Sequence, residues 1–176
     1  MKALLDVLVG KCADYFHHLV YNKNMSDIVT KEDFVEYITA NPVATLGTIN
    51  ENGTPLGTIV YVTCINTEKL YFVTKNETLK YRNIQKNNSV SVTIVNTDEN
   101  STLQAGGAAK TIDDGEIISA VMADMARIYG KSADYLPPIA KIRAGVYKVV
   151  EINLSVLRLA NFKGARAGDP DIFKEK

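Results

Sequence analysis

The stretch Tyr71-Phe72-Val73-Thr74-Lys75-Asn76-Glu77-Thr78-Leu79-Lys80 decides how the rest of the chain is read. Its first half is aromatic and β-branched and predicts a strand, Leu70 to Thr74. Its second half opens a helix near Glu77-Thr78, with a hydroxyl residue where a cap is wanted. Such a strand–loop–helix junction offers the Thr74 and Thr78 hydroxyls, free N–H groups and the Lys80 ammonium to one anion. A phosphate suits a helix start of this composition. The same residues also serve an N-capped surface helix with a solvated lysine, and both readings stand at this level. The helix is expected to run to Lys86, with Leu79 and Ile84 inward and the basic residues outside.

Upstream, Val43 to Ile49 is rich in β-branched residues and Asn50-Glu51-Asn52-Gly53 is a turn. Thr54 to Ile65 completes a hairpin with a four-residue loop, and Asn66-Thr67-Glu68 turns the chain into the quoted strand. A helix should start from Thr30 as N-cap, with Glu32 and Asp33 in its first turn and Asn41-Pro42 as its stop. Its residues Phe34, Val35 and Ile38 share one face. Earlier still, Leu4, Leu5, Leu8, Cys12, Tyr15, Phe16 and Leu19 predict an extra amphipathic helix within residues 1–29.

Downstream, Ser89 to Val95 alternates as a strand, and a polar loop precedes the strand Thr102 to Ile112. Asp113-Asp114-Gly115 turns into the helix Glu116 to Tyr129, with the Asp pair read as solvated or capping. Pro137-Pro138 breaks any regular element beyond that helix, Gly145 to Leu159 is a last long strand, and residues 160–176 are a polar tail. The pattern predicts an α+β fold: a six-stranded antiparallel barrel with peripheral helices, one domain over residues 1–176.

Composition excludes several function classes. The chain has 176 residues with 20 Lys+Arg against 20 Asp+Glu. One domain of that length buries an adequate core. A balanced charge argues against a nucleic-acid partner, which calls for a basic surface. No apolar run approaches the ~20 residues of a membrane span. Asp6 interrupts the short N-terminal apolar run, so a cytoplasmic protein without membrane attachment is expected. Cys12 and Cys64 lack zinc-site spacing, and the adjacent His17 and His18 cannot share a metal through helical i,i+4 geometry, so no metal is expected. No GxSxG, HExxH, Walker or GxGxxG pattern occurs, and no catalytic residue is assigned.

Three segments together carry a family likeness: Pro42-Val43-Ala44-Thr45-Leu46-Gly47-Thr48-Ile49-Asn50-Glu51-Asn52-Gly53-Thr54-Pro55, Leu70 to Asn83, and Leu103-Gln104-Ala105-Gly106-Gly107-Ala108. Their order and spacing resemble the pyridoxamine 5′-phosphate oxidase-like flavoproteins, which have the FMN-binding split-barrel fold. The likeness covers roughly residues 30–112 well and the last strand loosely. It implies FMN as cofactor. The family's Tyr-Thr pair falls on Val73 and Thr74, and its Ser-Arg-Lys phosphate motif on Thr78, Leu79 and Lys80. The hydroxyl and the lysine are kept while the arginine is Leu79, with Arg82 one turn further on as a substitute cation. The strand along the flavin ring falls on Thr58 to Thr63, giving Thr58, Ile59, Val60 and Tyr61 as site residues. The Arg and Lys that bound this strand in the oxidases are Thr58 and Thr63 here, which argues against pyridoxamine phosphate as substrate. Thr102 and Gln104 share a strand face and are expected at the polar edge of the ring. Tyr61 is expected either to face the ring or to pack in the barrel.

The resemblance implies a reductase or oxidase of a small molecule, fed by a nicotinamide nucleotide, with sites at the boundary of a homodimer. Two alternatives stay open: a deazaflavin- or haem-binding split barrel, and a non-catalytic flavin-binding module of the stress-related kind.

Overall fold

The structure, a computed structural model, describes residues 31–65, 69–130, 146–164 and 173–175. The helix expected within residues 1–29, the cap at Thr30, and Cys12, His17, His18 and Pro137-Pro138 lie outside the described residues. The elements are α1 (Lys31–Ala40), β1 (Val43–Ile49), β2 (Pro55–Thr63), β3 (Lys69–Lys75), α2 (Leu79–Lys86), β4 (Ser89–Asn96), β5 (Ser101–Ile112), α3 (Gly115–Tyr129), β6 (Tyr147–Asn161) and β7 (Phe173–Glu175).

Punctuation residues set the first boundaries. Pro42 ends α1, and the Asn50 side chain closes the β1–β2 turn by accepting from Asn52 N at 3.0 Å and Thr54 N at 2.8 Å. Gly53 takes the positive φ of 78° that this turn demands. The strands run in the order β3-β2-β1-β4-β5-β6, all antiparallel, and β6 returns to pair with β3, Phe72 opposite Val150. That pairing closes the expected six-stranded barrel.

The tail differs from expectation, because β7 adds a short seventh strand, Leu159 opposite Lys174. β6 has 15 residues and β3 only 7, so the far half of β6 presents an edge that β3 cannot reach. A three-residue strand takes it, too short for alternation to reveal in sequence.

Alternate residues of every barrel strand point inward: Leu46, Val62, Leu70, Phe72, Val92, Ile94, Leu103 and Ile152 are all at most 1% exposed. Helix α1 contributes Phe34 and Ile38, each 1% exposed and worth roughly 1.5–3 kcal/mol of burial. Helix α2 contributes Ile84. The Tyr37 hydroxyl meets Ser101 at the start of β5 (3.1 Å), and that of Tyr81 meets Thr111 near its end (3.3 Å). The two helices therefore sit at opposite ends of the barrel.

Outside the barrel, Tyr61, Tyr71, Val73, Ile112 and Val149 form a second cluster with Val121 and Met125 of α3. Asp114 caps α3, accepting from Glu116 N and Ile117 N at 2.9 and 3.1 Å, while Asp113 is exposed. Beside this cluster Glu151 is buried, yet burial is outweighed. Hydrogen bonds from Lys110, Lys69 and Tyr71 hold its carboxyl below the usual range. Where β5 meets the bulge in β6, a Cβ on Gly107 would strike the backbone of Asn153. Only glycine fits there.

Candidate functional site

The junction between β3 and α2 is built as a chain of hydroxyls. Thr74 is the last inward-facing residue of β3, 1% exposed, and Thr78 is the N-cap of α2. Thr78 Oγ1 donates to the Lys75 carbonyl at 2.8 Å and lies 2.9 Å from Thr74 Oγ1. With its own proton so engaged, Thr78 must accept the proton of Thr74. It also accepts from Tyr81 N at 3.4 Å. Both hydroxyl protons are thus engaged within the fold, which corrects the expectation that they are free donors to an anion.

The groups left open to an anion lie one residue later. The N–H groups of Leu79 and Lys80 belong to the first turn of α2 and make no hydrogen bond among the described residues. The side chain of Lys80 is half-buried, and this burial pushes its pKa down. No carboxylate among the described residues pairs with it. A desolvated ammonium on a helix turn with two open amides suits a bound negative charge.

Leu79 departs from expectation. It is 51% exposed, because helix α2 buries Asn83 and Ile84, and Leu79 overhangs the barrel one turn earlier. With Arg82 and Asn83 it lines a shallow recess of about 250 Å³, whose far wall is Asn50, Glu51 and Asn52 of the β1–β2 turn. Asn83, which no sequence pattern singles out, donates to Thr48 Oγ1 at 3.0 Å and ties α2 to β1. A lone Asn in a polar helix gives no signal of this in sequence. Glu51 is held below the usual carboxylate range by its hydrogen bond and ion pair with Lys86.

On β2 the strand period separates the expected ring-facing residues. Val60 is 5% exposed and belongs to the barrel core, with Thr58 on the same inward face. Ile59 and Tyr61 face outward. Of its two expected places Tyr61 does not take the barrel interior: it packs outside the barrel, 8% exposed, in the cluster under α3 that also holds Val73. Ile59 stays open at 56% exposure. Thr63 donates its hydroxyl to Asp124 of α3, which also takes Arg127 at 2.6 Å.

Thr58 to Tyr61, Val73, Thr74, Thr78 and Lys80 therefore occupy adjoining β2, β3 and α2. Thr102 and Gln104 do not join them. Thr102 donates to the Ile94 carbonyl at 3.0 Å and Gln104 is exposed on the outer face. Gln104 shares a cross-strand row with Thr93, Thr45 and Ile59. Three strand spacings put about 14 Å between its ends. Along β5, Thr102 is nine residues from Thr111, the contact of α2, or up to about 30 Å.

Among the described residues there is no group of three His, Cys, Asp or Glu able to hold a metal, and no helix long and apolar enough to cross a membrane.

Comparisons with known proteins point the same way. A family model described as pyridoxamine 5′-phosphate oxidase matches residues 30–159. No curated protein matches the chain. Among solved structures the chain is similar to a pyridoxamine 5′-phosphate oxidase-related, FMN-binding protein from Nostoc punctiforme. The two are 11% identical over 83% of this chain and 95% of that one, with a TM-score of 0.55. General Stress Protein 26 from Bacillus anthracis is 16% identical over 71% and 89%, with a TM-score of 0.53. An F420 reductase is 20% identical over 69% and 94%, also at 0.53. At these identities the likeness is one of fold.

Proposed function

The chain belongs to the pyridoxamine 5′-phosphate oxidase family, and from that premise we propose that it is an FMN-binding flavoprotein, a reductase or oxidase of a small molecule. The observation that carries this reading is the half-buried Lys80 side chain, which lacks a carboxylate partner among the described residues and belongs to the same helix turn as the open Leu79 and Lys80 amides. An FMN phosphate supplies the missing charge. When bound, FMN supplies hydride or electron transfer, so the protein need only bind and orient. Lys80 and the Leu79 and Lys80 amides hold the phosphate. Thr74 and Thr78 set the helix start rather than donate to the ligand. Ile59 and Tyr61 form the outer face of β2 beside it, with Val73 backing Tyr61, while Thr58 and Val60 offer backbone groups only.

Thr102 and Gln104 enter this reading from a second copy of the chain. Within one chain Gln104 is three strands from Ile59, and Thr102 is nine residues along β5 from the α2 contact at Thr111, which supports a site completed by a second chain. The protein then acts as a homodimer of single cytoplasmic domains, each site shared between chains. Thr63 stands where the oxidases carry Lys, and its hydroxyl is engaged by Asp124, so it offers no cation to a phosphorylated substrate. Pyridoxamine phosphate is therefore disfavoured, and a nicotinamide nucleotide is the expected electron source. The likeness to an F420 reductase favours a deazaflavin as the second reading. General Stress Protein 26, as a relative in fold, keeps a non-catalytic stress module in view. Haem is the weakest option, since the only histidines are His17 and His18, outside the barrel sequence.

The test is the visible spectrum of the purified protein before and after adding a reduced nicotinamide nucleotide. A flavin band near ~450 nm that bleaches on addition marks a reductase. A band that persists marks a passive binder.

A further inference from the structure

Asn76 joins the β3–α2 junction to a part of the sheet that no sequence pattern connects with it. The β3–β6 ladder ends at the pair Lys75 and Tyr147. One step beyond, the Asn76 N–H donates to the Val146 carbonyl at 3.1 Å. A regular hydrogen-bonded antiparallel pair would return a bond from the Val146 N–H to the Asn76 carbonyl. Here that bond, 2.7 Å long, goes to Asn76 Oδ1 instead. The side chain takes the place of its own carbonyl, as Asn side chains do in turns, and the backbone is released from the sheet to turn into α2. Two residues on, the Thr78 N–H and the Thr78 hydroxyl both close on the Lys75 carbonyl, at 3.1 and 2.8 Å. The short loop between β3 and α2 is thus pinned to β6 through Asn76 and to β3 through Thr78. An alanine at position 76 has no acceptor for Val146 and leaves the first of these pins open.

We infer that Asn76 is a positioning residue for the cofactor phosphate, acting through the first turn of α2 and not by contact with the ligand. By holding the loop on β6 it sets where the open Leu79 and Lys80 amides stand relative to the barrel. This role rests on the reading of that turn as the FMN phosphate site. Phosphate binding and the Asn76–Val146 bond then support each other, since coupling between two events is reciprocal. Val146 is 63% exposed, so its N–H is shielded by this bond and not by packing.

The experiment measures FMN and riboflavin affinity for wild type and Asn76→Ala, with amide exchange at Val146 followed by NMR in the apo and flavin-loaded proteins. In Asn76→Ala, FMN should weaken about fivefold, as for the loss of one ordinary hydrogen bond, while riboflavin stays within about twofold. In wild type, FMN should slow Val146 exchange by a similar factor and riboflavin should not. Asn76→Asp keeps the acceptor, so its apo-protein should exchange Val146 at the wild-type rate while Asn76→Ala exchanges it faster. Equal weakening of both flavins in Asn76→Ala marks a merely structural residue and overturns the assignment, as does Val146 exchange indifferent to FMN. If wild type holds FMN no tighter than riboflavin, the phosphate reading itself falls and takes this one with it.

Discussion

Replacing Lys80 with alanine should separate binding from stability. Lys80 is half-buried with its pKa pushed down by desolvation and no carboxylate beside it among the described residues. A charge-assisted hydrogen bond from it to a phosphate is worth roughly 1.5–3 kcal/mol. Lys80→Ala should therefore weaken FMN roughly 10- to 150-fold. Riboflavin, which lacks the phosphate, should bind both proteins alike. Stability should move the other way. A lysine whose folded pKa lies below its unfolded value burdens the fold while protonated in both states. As pH rises through the folded pKa toward the unfolded one, the native state binds fewer protons and wild-type stability rises. The apo variant should thus melt at or above the wild-type temperature near neutral pH, with the gap closing as pH rises. Flavin-fluorescence quenching gives the affinities and thermal denaturation of the apo-protein gives the stability. Unchanged FMN affinity, or an apo-protein that melts several degrees lower, would refute the assignment of Lys80 to a phosphate.

Three further outcomes are expected. Glu151→Ala leaves Lys69, Lys110 and Tyr71 without their buried carboxylate and should cost about 2–4 kcal/mol in urea denaturation at neutral pH. Because the Glu151 pKa is lowered, its contribution is present above the ordinary value of 4.5 and lost as pH falls through the lower folded value. The variant should accordingly lose less stability than wild type on acidification, and parallel acid limbs would count against the triad. Gly107→Ala places a Cβ against the Asn153 backbone, 2.8 Å from its carbonyl carbon, and should cost about 3 kcal/mol or prevent folding. Gly47→Ala meets only the movable Ser91 side chain and should cost less than about 1.5 kcal/mol; equal costs would show that the β5–β6 crossing is not tight.

The barrel was legible because punctuation and alternation agree. Asn41-Pro42 and Asn50 to Gly53 bracket β1 at its observed limits, and the inward residues of each strand are those the period of two selects. Thr78 was readable as a cap from its chemistry alone. Alternation assigns a strand residue to one of two faces but does not say what lies over the outer one. The barrel interior, one of the two places expected for Tyr61, was consequently wrong, since its ring packs in the outer cluster with α3. Leu79 misled for a related reason: a helix period cannot show that the first turn overhangs the core. That the Thr74 and Thr78 hydroxyl protons are already spent is invisible in sequence, because their acceptors follow from three-dimensional closure of the β3–α2 loop. The recess at Arg82 arises from a turn and a helix some thirty residues apart, so no local motif marks it.

Native mass spectrometry of the purified protein in the presence of excess FMN reaches the central claim most directly, because it reads cofactor and assembly together. The account predicts a dimer carrying one FMN per chain, with the flavin lost first in Lys80→Ala. A monomer, or a dimer that takes up no FMN, would contradict it.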